Sequence, residues 1–230
     1  KLSANLMVKK NRFNITTRGD TMFRTGIFTI LALLISFTSV NAQQFDEGIE
    51  YIKINKPVKT SNPDKVVVTE LFWYGCPHCF RFEPYVEQWQ KSIPDSVVVE
   101  QVPSVLNSSW MEHARAFFAL QMMGETEKVH KKLFSAIHLK NKRLNSIDTL
   151  AAFVKNLGVD EKKFRDHYHS FPVDTLVRKS KQKERKYGHR GVPAVVINGK
   201  YRTSASQAGS NAKMIEVIDY LVKKEMAEMK

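Results

Sequence analysis

The sequence predicts an α/β fold in which one sheet is split around a block of helices. Three observations predict it. Residues 66–74 form an apolar, β-branched and aromatic run that suits a strand covered on both faces, and shorter runs of the same kind stand at Val97-Val98-Val99 and Val195-Val196-Ile197. Between the last two the apolar spacing changes to that of helices. Sheet-forming residues at both ends of the chain and helices in the middle imply an insertion. The expected parts are a leader at 1–42, a sheet-bearing domain made of 43–102 with 182–230, and an all-helical insertion at 103–181.

At the N-terminus, Arg24, the apolar stretch 27–35 and the small-residue ending Val40-Asn41-Ala42 follow one another as the three regions of a signal peptide. The apolar stretch is shorter than the ~20 residues a membrane span needs. Met22 is a natural start, which gives residues 1–21 no structural role, and cleavage after Ala42 leaves an exported chain beginning at Gln43. With no later apolar run of spanning length, that mature chain is expected to be soluble. Export also brings it into an oxidising compartment, where disulfides persist.

The elements follow in order. The run 66–74 carries one charge, Glu70, six residues before Cys76, where a carboxylate would be largely dehydrated. A helix begins at or just before Cys76 and contains Pro84, which is expected to kink it. Ser109 with Glu112 has the spacing of a capping box ahead of Trp110, Ala114, Phe117 and Phe118, and Gly124 supplies a stop. Further helices are expected at 125–139, at 146–156 before Gly158, and from a cap at Asp160 to Tyr168. Phe171-Pro172 reads as a break, 174–187 as a long basic helix stopped by Gly188, and 211–228 as a closing helix with Met214, Ile215, Ile218 and Leu221 on one face. Asn198-Gly199 is a two-residue hairpin signal between Ile197 and Lys200-Tyr201.

Thirty-six lysines and arginines against 23 acids give a formal charge of +13, and the chain stays basic after the leader is removed. An exported protein without an aromatic-interleaved basic motif is not expected to bind nucleic acid. The basic run Arg178, Lys179, Lys181, Lys183, Arg185, Lys186 reads as a solvated helix face.

The chain has two cysteines, both in Cys76-Pro77-His78-Cys79, so none remains for a structural bridge. At a strand-to-helix junction this spacing points to a thiol/disulfide couple. First-turn amides without intrahelical partners point toward Cys76 Sγ, and the helix dipole and His78 favour a thiolate there. Cys79 lies inside the helix as the buried resolving thiol, and Cys76 is the exposed attacker. A metal site would need two more ligands, and no histidine has zinc-ligand spacing, so neither metal nor cofactor is expected. The histidines other than His78 are read as surface or partly buried helix residues.

The segment Phe72-Trp73-Tyr74-Gly75-Cys76-Pro77-His78-Cys79-Phe80-Arg81-Phe82-Glu83-Pro84 closely resembles the DsbA family of periplasmic thiol:disulfide oxidoreductases. Arg190-Gly191-Val192-Pro193-Ala194 and Asn198-Gly199-Lys200-Tyr201 extend the resemblance over nearly the whole mature chain. It implies a thioredoxin fold interrupted by a helical domain, and strong oxidising power through a lowered thiol pKa, both known properties of that family. By the same resemblance Pro193 is cis and faces the dithiol, Val192 offers its backbone to an extended client, and Glu70 is the buried acid serving Cys79. Gln101 stands near where some relatives carry a lysine, so Glu70 is expected to be either unpaired or paired differently. Glu83 matches a family acid but also fits a solvated helix face. The implied function is donation of the Cys76–Cys79 disulfide to reduced, unfolded secreted proteins by a monomer in the periplasm, reoxidised by a DsbB-like quinone-linked membrane partner. The alternatives are a reductase or isomerase, and a peptide-binding chaperone with incidental redox activity.

Overall fold

The sheet follows from the alternation within its central strand. The structure, a computed structural model, describes residues 45–229, so the expected leader and its cleavage site lie outside the described residues. Strand β2 (Val66–Phe72) is buried along its whole length, as a run apolar at nearly every position should be. It pairs in parallel with β3 (Val97–Pro103) and antiparallel with β4 (Ala194–Ile197). β5 (Tyr201–Ser204) and a two-residue edge strand β1 (Ile52–Lys53) complete the order β1-β5-β4-β2-β3.

Period-two alternation sends Val66, Val68, Val195 and Ile197 to one face. There they pack against α1 (Pro77–Gln90) and the closing helix α8 (Asn211–Glu228) through Phe82, Val86, Met214 and Leu221. Leu71, Ala194 and Val196 point the other way, against Tyr187. The hairpin turns on Asn198 and Gly199, at φ 49° and 66°, and closes with Lys200 N–H to Ile197 O at 2.9 Å; strand pairing resumes at Tyr201. A Cβ at Gly199 would stand 1.9 Å from Val58 O, so glycine is required by space as well as by φ.

Between β3 and β4 come α2 (Met111–Met122), α3 (Thr126–His138), α4 (Ile147–Lys155), α5 (Glu161–Tyr168) and α6 (Phe171–Tyr187). The expected cap at Asp160 forms, and Ser146 caps α4 in the same way, each side chain accepting from an amide three residues on. The Ser109–Glu112 capping box does not form. Asn107 Oδ1 accepts from Ser109 N at 3.0 Å and starts a 3-10 turn, while Glu112 takes the hydroxyl of Tyr168. Nor is Phe171-Pro172 a break. Ser170 caps a helix whose first turn contains Pro172, a position where the missing N–H costs nothing. Helix α6 ends where expected, at Gly188 with φ 65°. A short helix α7 (Ala205–Ala208) precedes α8. The fold is thus thioredoxin-like with a helical insertion. The insertion's core also takes in Phe72, Tyr74, Cys76 and Cys79.

Candidate active site

Cys76 is the N-cap of α1 and has extended backbone geometry, and Pro77 occupies the first helical position. Proline's fixed φ suits that position and its absent N–H removes no bond, which leaves the amides of His78 and Cys79 to turn toward Cys76 Sγ. The structure has the two cysteines as free thiols. A hydrogen bond with the Cys79 thiol, helped by those two amides and the His78 charge and opposed by partial dehydration, lowers the Cys76 pKa to about 6. Cys76, expected to be exposed, is only 7% exposed, and Cys79 is wholly buried, where dehydration with the neighbouring Cys76 sulfur drives its pKa far upward. One thiol is therefore mostly ionised at neutral pH while its partner holds its proton.

Cys76 Sγ also lies 3.3 Å from Val192 O, on the loop whose Val192–Pro193 peptide is cis. Pro193 is buried and Val192 half-buried. His78 is exposed, and in the neutral ring its Nδ1 can accept from Arg81 Nη2, 3.0 Å away. Gly75 has a steric reason: a Cβ there would meet the Trp73 ring at 2.2 Å. Phe72 and Tyr74 are fully buried, because alternate residues of this extended segment face the core. Trp73 stacks on Trp110, with ring centroids 4.4 Å apart.

Glu70 is 1% exposed on the α1 face of β2, and its pKa rises to about 8, through dehydration first and the Glu83 charge second. Gln101, directly opposite in the β2/β3 register, donates to Glu70 Oε2 at 3.1 Å; Glu70 Oε1 has no partner. Two residues here, His130 and His138, escaped the sequence reading. His130, from α3, sets Nε2 3.2 Å from the Gln101 amide nitrogen and 3.3 Å from Glu83 Oε1, with Nδ1 2.8 Å from Tyr74 Oη. Nε2 accepts from Gln101 when bare and donates to Glu83 when protonated, so its proton selects one partner. His138 Nε2 lies 2.8 Å from Tyr74 O. Glu83 is no solvated face residue: its side chain is 14% exposed and turned to His130. His113, His130 and His189 are buried more fully than the surface or partly buried helix positions expected of them, each held by a polar partner on another element. The contacts of His130 with Glu83 and of His138 with Tyr74 cross 47 and 64 residues of chain, so no local pattern announces them.

The profile of the DSBA-like thioredoxin domain matches residues 96–220. The thiol:disulfide interchange protein DsbA of Pseudomonas aeruginosa is 37% identical over 209 residues, covering 90% of this chain and 99% of the relative. The chain belongs to the DsbA family. DsbA of Burkholderia cepacia is 37% identical over 193 residues, 84% of this chain and 91% of its own. The crystal structure of P. aeruginosa DsbA superposes with a TM-score of 0.78 at 38% identity over 81% of this chain and 97% of that one. The oxidoreductase DsbA of Xylella fastidiosa gives 0.75 at 27% identity, over 80% and 98%. The reaction class is thiol–disulfide exchange. Among the described residues no helix is long and apolar enough to cross a membrane.

Proposed function

We propose that the chain is a periplasmic dithiol oxidase that passes the Cys76–Cys79 disulfide to reduced secreted proteins. The observation that carries this reading is the split between the two thiols, one lowered to about 6 and the other strongly raised. A client thiolate attacks Cys76 Sγ, the Cys76–Cys79 bond breaks, and its electron pair goes to Cys79 Sγ, which takes up a proton. The client's second thiolate then attacks the client sulfur of the mixed disulfide, and Cys76 departs as a thiolate. The client loses two electrons and the protein gains them.

Glu70, neutral at pH 7 with a pKa of about 8, supplies the proton through intervening water and takes it back on reoxidation. Val192 presents its backbone to an extended client beside Cys76, and Pro193 has no N–H to compete. The reading includes a monomer, reoxidation by a DsbB-like quinone-linked membrane partner, and the division 43–102 with 182–230 against 103–181. Helix α6 runs through that last boundary and so serves both parts.

Equilibration of the couple with glutathione tests the direction. A potential well above glutathione's ~−220 to −260 mV is expected, and one near thioredoxin's ~−270 mV would make the protein a reductase. Full protection of unfolded clients by Cys76→Ser would favour the chaperone instead.

A further inference from the structure

Beside the dithiol, a groove is lined by Val192, Pro193, His189, Arg190, Arg202 and Gln207, and no aspartate or glutamate lines it. It does not end at the sheet edge. Ile52, Gly188 and Arg202 also line a second hollow, whose charged residues are Lys53, Lys56, Lys59, Arg185 and Lys186, again with no carboxylate. The two form a trough leading away from Cys76 with one sign of charge on its walls.

Two features, the separate origin of its cations and a half-buried arginine in its wall, set this trough apart from an ordinary solvated lysine face. Its cations come from separate segments: the end of β1 and the loop after it, the last turn of α6, the loop before Pro193, and β5. Among the described residues none of Lys53, Lys56, Lys59, Arg185, Lys186 or Arg190 forms an ion pair, so no carboxylate neutralises these walls, a state they share with several lysines elsewhere on the surface. Arg202, opposite Ile52 in the β1/β5 register, is half-buried in the shared wall and gives one N–H to Tyr187 O at 2.7 Å, with no carboxylate to balance it. Burial and the nearby Arg190 both weigh against its charge. A concave wall of one sign concentrates the field and draws in chains of the opposite sign.

We propose that this trough holds an acidic, extended stretch of the client next to its reacting cysteine, so that the protein favours clients with aspartate or glutamate on that flank. The inference rests on the dithiol-oxidase reading. An extended segment paired with the Val192 backbone continues along the trough, its carboxylates meeting Arg190 and Arg202 first and the lysines beyond Ile52 next. Gln207 provides a neutral hydrogen-bonding partner at the near end.

The test uses the oxidised protein and two-cysteine peptides that differ only in a flanking run of glutamates, serines or lysines, placed on either side of the attacking cysteine. The glutamate peptide is expected to exceed the lysine peptide in kcat/KM by about tenfold on one flank, mainly through KM, with the ratio shrinking as salt is raised. In the charge-reversed Lys56→Glu/Lys186→Glu protein the ratio should fall to one or below. Equal rates for all three peptides, at both salts, overturn the trough assignment while leaving the oxidase reading intact; failure to oxidise even the serine peptide overturns the oxidase reading. Equal peptide rates together with binding of the wild type, but not the double variant, to phosphatidylglycerol-containing vesicles would assign the basic walls to a lipid surface.

Discussion

Glu70 keeps a carboxyl group where water does not reach, with one oxygen held by Gln101 and the other unpartnered. A carboxyl whose pKa is raised on folding leaves the fold unpenalised below its unfolded value and costs stability as pH climbs toward the folded one. For a shift from 4.5 to about 8 the penalty at pH 7 is about 3 kcal/mol. Glu70→Gln should therefore gain about that much at pH 7 relative to its difference from wild type at pH 4, read from urea midpoints across the range. A difference independent of pH would show that Glu70 is not dehydrated as described. The variant should also slow exchange, since the proton for Cys79 is gone. At this scale the sequence carried the dithiol, Glu70 and the Val192-Pro193 pair because each sits in a local pattern. It did not carry His130 or Glu83 in their real roles, because their contacts cross 47 residues of chain and depend on how α3 docks.

Among the elements, α6 has the most consequential single contact. The carboxylate of Glu184 accepts from Ser104 Oγ and from Val105 N, just past the end of β3, and its Oε1 lies 3.9 Å from His189 Nε2 on the way to Pro193. All three side chains are buried. Glu184→Ala strips two buried donors of their acceptor and should cost about 2–4 kcal/mol, whereas Glu184→Gln keeps an acceptor oxygen and should cost about 1 kcal/mol. Equal losses would mean that shape, not hydrogen bonding, holds α6 in place. The amphipathic spacing of α6 and its stop at Gly188 were legible. Its clamp was not, since Glu184 looks like one acid in a basic helix until Ser104, 80 positions away, is brought beside it. The same limit explains the Asn107 cap and the helical start at Ser170, where neighbouring polar residues compete and geometry chooses the winner.

Over the whole molecule, the lowered pKa of Cys76 links redox state to stability. A thiol depressed from its ordinary range to about 6 adds stability to the reduced form above the unfolded thiol's pKa, and that contribution is lost as pH falls through about 6. The reduced protein should outlast the oxidised one in guanidinium at pH 7, with the gap between their midpoints widening toward pH 8 and closing toward pH 5. A gap that stays constant, or favours the oxidised form, would sink the oxidant assignment. The split sheet around a helical block was readable from where the apolar runs fall, and β1, at two residues, was too short to announce itself.

The shared core has a consequence for anyone seeking a smaller enzyme. Phe72, Tyr74, Cys76 and Cys79 pack with Phe117, Leu133 and Phe134 from the inserted helices rather than with the core between the sheet, α1 and α8. The insertion is thus not a detachable cassette. Trimming residues 103–181 to a short linker would leave the sheet's own core in place but open the resolving thiol to solvent, erasing the difference between the two sulfurs on which directional electron transfer depends.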